Sequence, residues 1–244
     1  QIQIVEGGKL NDLAKQEHVT SYIIDGKRGI ILDRNLKKLA VNVDSKSLFA
    51  IPYKIDNPEE IAGIISAKFD LSNQHIIKQL EKEKYFVWIK RKLSQDNYEE
   101  IKKMELEGLD FVTENKRYYP KESLAANILG FVGIDNQGLE GMEMYFDDKL
   151  KSTTGVVVME RDASGKQIPL SMERIQPSKD GLSIVLTIDE VIQYITEEAL
   201  EKAYQKYRPR SAVAIVVNPK TGEILSMAVK PTFNLNCFQQ SPED

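Results

Sequence analysis

Apolar and polar positions along the chain change period twice, and the changes divide it into three stretches. Up to about residue 53 the apolar residues come in short β-branched runs. Val19 to Ile24, Ile30-Ile31-Leu32, Leu39 to Val43 and Leu48 to Tyr53 predict strands, with turns at Asp25-Gly26 and at Asn35 and its lysines. A short helix is predicted ahead of them, around Leu10 to Glu17. From about 56 to 108 the period is helical. Asn57-Pro58-Glu59-Glu60 supplies a capping side chain, a first-turn proline and two acids against the helix dipole. Ile61, Ile64, Ile65 and Phe69 then share one face. A second helix starts at Ser72 and buries Ile76, Ile77 and Leu80. A third runs from about Asn97 through Ile101 and Met104 to Gly108, and the strand Tyr85 to Ile89 lies between them.

Beyond residue 108 the strands return. Leu109 to Glu114 predicts one, and Pro120 opens a helix that buries Leu124, Ala125, Ile128 and Leu129 and ends at Gly130. A short helix is expected over Glu143 to Leu150. Val156 to Arg161 and Gln167 to Ile175 flank the hairpin signal Ala163-Ser164-Gly165-Lys166, and Leu182 to Ile188 reads as a further strand. Asp189 caps the longest helix, Glu190 to about Tyr207, striped by Ile192, Ile195, Ala199, Ala203 and Tyr207. Ser211 to Val217 and Glu223 to Val229 flank Asn218-Pro219-Lys220-Thr221-Gly222 as strand, turn and strand. The class is α+β, with an α-rich block set between strand-rich portions.

The composition is that of a soluble globular protein: 244 residues, 41% hydrophobic and 29% charged. Thirty-three Lys and Arg against 37 Asp and Glu argue against a nucleic-acid partner. Lys84-Tyr85-Phe86-Val87-Trp88-Ile89-Lys90-Arg91-Lys92 runs against that balance. It suits base stacking or a membrane surface, but a strand with solvated ends accounts for it more simply. A single cysteine, Cys237, excludes an internal disulfide. With two histidines (His18 and His75) far apart, both read as surface residues, no metal or cofactor is expected. No apolar run reaches the ~20 residues of a membrane span and no signal peptide begins at Gln1. The opening Gln-Ile-Gln-Ile-Val-Glu reads as a continuation of an upstream segment.

Candidate chemistry starts with Arg28, Asp33 and Arg34, which surround an apolar strand. A buried unpaired charge costs several kcal/mol, so partners are expected, and Arg117, Glu140 and Glu143 are the later candidates. Glu140, Glu143, Asp147 and Asp148 could be cast as the acid/base pair of a glycan-cleaving enzyme. Nothing fixes their separation, and Asp147-Asp148 reads as a solvated helix face. Lys220-Thr221-Gly222 matches the K-T-G element of penicillin-recognising serine enzymes. No serine is followed three positions later by lysine, however, and no Ser-x-Asn occurs. The triplet reads as a hairpin turn, and no catalytic residue is assigned.

Taken in order, several segments resemble the class B penicillin-binding proteins, the bitopic D,D-transpeptidases of bacterial cell-wall synthesis. Arg28-Gly29 with Asp33-Arg34-Asn35 and Leu39-Ala40 is similar to the family's first pedestal motif. Arg117-Tyr118-Tyr119-Pro120, Leu124-Ala125-Ala126 and Leu129-Gly130-Phe131-Val132-Gly133 resemble the second, and Gly138-Leu139-Glu140-Gly141-Met142-Glu143 the third. Leu186-Thr187-Ile188-Asp189, then Ile192-Gln193 and Glu198-Ala199-Leu200, look like the entry into the penicillin-binding domain. Asn218 to Ala228 with Pro231-Thr232-Phe233-Asn234 resembles that domain's first hairpin. The helical block and Tyr85 to Arg91 look most like the division and sporulation branch.

The resemblance implies an elongated pedestal (dimerisation) domain over 1–180 with an inserted α-rich head subdomain at about 56–108. An incomplete transpeptidase fold would follow over 181–244, stopping at Asp244 before the family's nucleophilic serine. It implies an extracytoplasmic location, a membrane helix preceding Gln1, and binding to a polytopic peptidoglycan glycosyltransferase and to division or sporulation proteins. The apolar strands 212–217 and 224–229 would expose edges without the rest of their sheet, so either dimerisation through that hairpin or disorder there is expected. It carries Arg28, Gly29, Asp33, Arg34, Arg117, Pro120, Gly130, Gly138, Glu140, Gly141, Glu143 and Asp189 over as structural motif residues. The expectation is a shared polar core in which Arg28 or Arg34 pairs with Glu140 or Glu143. The family usually has glycine where Leu36 stands, so a differently built turn is expected there. The competing reading is a stand-alone regulatory protein that keeps the pedestal without the enzyme. A self-sufficient enzyme using Lys220 fails on the missing serine motifs.

Overall fold

The computed structural model describes residues 19–81, 86–160 and 173–240. The chain forms two compact units, the first of 1–41, 119–133 and 137–244, the second of 42–118 and 134–136.

In the first unit β1 (Val19–Asp25) pairs antiparallel with β6 (Thr154–Glu160), which pairs on its other side with β7 (Glu173–Gln176). The hairpin signal at 163–166, the helix at 10–17 and His18 lie outside the described residues. The two-residue strand β2 (Ile31–Leu32) pairs antiparallel with the start of β3 (Lys38–Ala50) and parallel with β8 (Ile184–Val185). The expected strand over 182–188 is thus shorter. Residues on either side still bond to the first motif, Gly181 N to Lys27 O at 2.9 Å and Leu186 N to Leu32 O at 2.9 Å. The core holds Ile31, Leu39, Ala40, Tyr119, Ala125, Leu129, Leu150, Ile188 and Leu235. The hairpin β9 (Ala212–Val217) and β10 (Ile224–Lys230) encloses Lys220-Thr221-Gly222 in its exposed turn.

In the second unit the remainder of β3 pairs with β4 (Val87–Lys90) and with β5 (Leu109–Tyr118). The helices α1 (Pro58–Phe69), α2 (Asn73–Leu80) and α3 (Gln95–Lys103) pack on it through Leu48, Ala50, Ile61, Ala62, Ile65, Ile76, Leu80 and Ile101. The caps follow local chemistry. Asn57 accepts from Glu60 N and Ser72 from His75 N as expected, whereas α3 starts earlier because Ser94 caps it by accepting from Asn97 N. The helix also ends earlier than the expected Gly108, at Lys103, so Met104, expected within it, follows its last residue and is exposed. The two strands expected over 39–53 are one, because nothing in Asp44-Ser45-Lys46 breaks the ladder, and Ser45 and Ser47 are themselves buried.

Three helices of the first unit depart from expectation. Pro120 begins turns rather than a helix. Glu122 and Ala125 take φ of +53° and +55°, and only α4 (Ala126–Leu129) is helical, although Leu124, Ala125, Ile128 and Leu129 are buried as expected. The helix of 143–150 starts at Gly141 and breaks at Phe146 into α5 (Gly141–Tyr145) and α6 (Asp147–Leu150). The long helix α7 (Glu190–Tyr207) is present and capped by Asp189, but its buried residue is Gln193. Ile195 and Tyr207 of the expected stripe are 60% and 72% exposed.

Candidate functional site

The interior of the first unit holds a node of charged groups built from three distant segments. Arg28, just before β2, is 4% exposed, and Glu143 on α5 is 0% exposed. Arg28 donates from Nε to Glu143 Oε2 at 2.8 Å and from NH2 to the Glu143 carbonyl oxygen at 2.8 Å. Its NH1 donates to Asp147 Oδ1 at 2.6 Å. Tyr119 donates its hydroxyl to Glu143 Oε1 at 3.4 Å. The guanidinium is therefore matched by two carboxylates and a carbonyl, the condition under which a buried charge is tolerated.

Backbone around the node is fitted just as closely. Gly138 N donates to Asp147 Oδ1 at 2.8 Å, and a Cβ on Gly138 would stand 2.1 Å from the Glu143 carbonyl oxygen. Gly130 has φ +66°, with Glu140 O 2.0 Å from where its Cβ would be, so only glycine suits both the angle and the space. Gly29 N donates to Leu150 O at 2.7 Å, and Gly141 opens α5.

A second cluster joins the first motif to α7. Asp33 is fully buried. Its Oδ1 accepts from Asn35 N and Lys37 N, both at 2.8 Å, and its Oδ2 accepts from Glu190 N at 3.2 Å. Asp189 Oδ1 accepts from Val191 N at 3.0 Å and Ile192 N at 3.3 Å, and its Oδ2 from Asn35 Nδ2 at 3.0 Å. The bond from Asn35, then those from the helix N–H groups, hold the Asp189 carboxyl below its ordinary range. Leu36 in this turn has φ +63°, the left-handed geometry that glycine would adopt freely.

Not every expected residue joins these clusters. Arg34 sits 3.6 Å from Glu223 on the surface, and Glu140 is exposed. Arg117 is buried in the second unit and donates to Asn42 Oδ1 at 3.3 Å, because β5 runs on to Tyr118. Pro120 lies in the turn after that strand. Sequence reasoning missed Tyr119 and assigned Asp147 to solvent. The four-residue spacing of Glu143 and Asp147 within the predicted 143–150 helix was the available signal for the latter, although in the structure the helix breaks between them at Phe146.

The second unit has a polar cluster of its own. Arg91 pairs with Glu114 and with Asp135, and Glu114 also accepts from Ser47 Oγ. Burial pushes the Glu114 carboxyl up, but the bonds from Arg91 and Ser47 outweigh it and hold the group down. Burial pushes the Lys92 ammonium, which donates to Asn136 Oδ1 at 2.8 Å, down to about 8.

Known proteins agree with this architecture. Stage V sporulation protein D of Bacillus subtilis is 39% identical over 241 residues, covering 98% of this chain and 37% of the relative. Peptidoglycan D,D-transpeptidase FtsI of Escherichia coli is 29% identical over 252 residues, covering 99% of this chain and 41% of the relative. The chain thus spans about two fifths of the length of the curated relatives it matches. The solved complex between penicillin-binding protein PBP2 and MreC from Helicobacter pylori contains a chain of like fold, with TM-score 0.68 and 22% identity over 90% of this chain and 44% of that one. The model of the penicillin-binding protein dimerisation domain matches residues 23–186, and the chain belongs to that family.

Proposed function

We propose that this chain is the non-catalytic pedestal of a membrane-anchored class B penicillin-binding protein, together with the opening of its transpeptidase domain. Residues 1–180, with the α-rich block at about 56–108, are the pedestal, and 181–244 begin the domain that carries the peptidoglycan D,D-transpeptidase activity. The observation that carries this reading is the node of Arg28, Tyr119 and Glu143. It draws one residue from each of three segments that resemble pedestal motifs and turns all three inward. Such a node stiffens a support and leaves no group free to attack a substrate. The pedestal holds the catalytic domain off the extracytoplasmic face of the membrane. It also binds a polytopic glycosyltransferase, division or sporulation proteins, and a second copy. Identity to Stage V sporulation protein D favours the sporulation side.

Fluorescent-penicillin labelling of the natural full-length gene product, with the labelled peptide mapped, tests this. A label on a serine C-terminal to Asp244 is expected. Failure to label would leave the stand-alone regulatory reading in its place.

A further inference from the structure

The pedestal reading leaves one stretch singled out by the sequence unused, the basic and aromatic segment 84–92. Its strand β4 pairs with β3 on one side and, among the described residues, with nothing on the other. An open strand edge carries unpaired N–H and C=O groups that can accept another chain. Val87 is buried, whereas Phe86 and Trp88 are 43% and 38% exposed. Phe49 of β3 stacks on Phe86 at 4.6 Å, and Phe86 meets Trp88 edge-on at 4.7 Å. The Arg91 guanidinium lies 5.0 Å from the Trp88 ring centre. Single exposed aromatics are ordinary. A run of three, with Phe86 touching both Phe49 and Trp88, beside an open edge forms an interaction surface.

The charge left for a partner at this edge is basic. Lys90, Arg91 and Lys92 follow one another, and Arg91 takes both Glu114 and Asp135. Lys92 turns to Asn136 and feels Glu114 and Asp135, whereas among the described residues no carboxylate forms an ion pair with the exposed Lys90. Pairing with a second copy would set like charges together, because 84–92 contains Lys84, Lys90, Arg91 and Lys92 and no acid. A bilayer would bury the rings but could not bond the strand's backbone.

We propose that β4 is a strand-addition site for an extended apolar segment of a partner protein. That segment carries an acidic residue beside Lys90, and Phe86 and Trp88 cover its apolar side chains. The inference rests on the pedestal reading only in taking a protein partner to exist. Its test does not involve penicillin, so the two fail separately.

Trp88 is the chain's single tryptophan and reports on the site directly. A random peptide-display library is selected on the intact chain, and the enriched peptides are titrated while Trp88 emission is followed. Enriched sequences are expected to combine alternating apolar residues with Asp or Glu at one end, and to shift Trp88 emission to the blue. Lysine-ended counterparts should bind about tenfold more weakly or worse, and so should the acidic peptides to Phe86→Ser. Lys90→Glu should reverse the preference toward basic ends, which a merely structural effect would not do. Enrichment without acidic bias, or binding that leaves Trp88 unmoved, overturns the proposal. So does a Trp88 shift with phosphatidylglycerol vesicles and with no peptide, which would make the surface a membrane contact.

Discussion

Arg28 and Glu143 illustrate why a buried pair is worth so much once made and so little in net. Desolvation offsets most of the attraction, yet removing one partner strands the other without water. Glu143→Ala and Arg28→Ala should each cost about 3–5 kcal/mol. The apolar pair Arg28→Met with Glu143→Leu should cost clearly less than the sum of the singles. Chemical denaturation of the four proteins tests this, and single variants melting within a degree of wild type would remove the node as a structural element. Leu36 carries the opposite kind of effect. Its side chain is exposed and its φ is +63°, so Leu36→Gly should relieve backbone strain and lose no packing. Set against the extra freedom of glycine in the unfolded chain, the gain should be below about 1 kcal/mol. The expectation of a differently built turn is thus replaced by a left-handed turn that leucine occupies under strain. Lys92 adds a pH dependence. Its ammonium titrates at about 8 in the fold against 10.5 ordinarily, so between those values the unfolded chain holds the extra proton. Its charged form therefore weakens the fold below about pH 8, and stability should rise from about pH 8 to 10.5. Lys92→Met should be more stable at pH 7 and lack that part of the slope, measured as the difference between the two denaturation series. Solvent screening of a half-exposed group will keep the effect modest.

At the scale of elements, the legible part of the sequence is the part written in local chemistry. The caps at Asn57, Ser72 and Asp189 and the hairpin turn at Lys220-Thr221-Gly222 depend on neighbours within a few residues, and the structure has all of them. Which face of α7 turns inward depends on what it packs against, and periodicity misjudged it. Gln193, fully buried, reaches the backbone of β10. Its Oε1 accepts from Met227 N at 2.8 Å, and its Nε2 donates to Met227 O at 2.9 Å and to Glu197 Oε1 at 2.7 Å. The amide thus completes the hydrogen bonding of a strand residue, and no apolar side chain could. Gln193→Leu should cost about 2–3 kcal/mol, because a buried donor and acceptor each lose their partner. Ile195→Ala should stay within about 0.5 kcal/mol of wild type. Equal losses in the two variants would restore the apolar stripe.

Across the whole molecule, the order of segments in the sequence identifies the family, but the compact units cut across that order. The core of the first unit takes Ile31 and Leu39, then Leu129 and Leu150, then Ile188 and Leu235, pieces separated by tens to hundreds of residues. Pairings at that range leave no local trace, which explains why the charged groups could be named from sequence but Glu143 could not be chosen over Glu140. The boundary proposed at 180/181 separates domains by resemblance, yet backbone hydrogen bonds tie the residues just after it to the pedestal. Gly181 N reaches Lys27 O, Leu182 N reaches Lys149 O, and Ile184 N reaches Ile30 O, each at 2.8 to 2.9 Å. Asp33 also closes its hydrogen bonds on Glu190 N. A chain ending at Asp180 would lack Ile188 and Leu235 from the core that holds Ile31, Leu39 and Leu150, and leave one Asp33 oxygen without its partner. It should lose its near-ultraviolet circular dichroism and the slow amide exchange of Ile30 to Leu32, while the full chain keeps both. A version ending at Asp180 that melts as sharply as the whole chain, with those amides protected, would mean that the pedestal is complete without the entry segment. The contacts along 181–190 would then be consequences of its folding rather than part of its support.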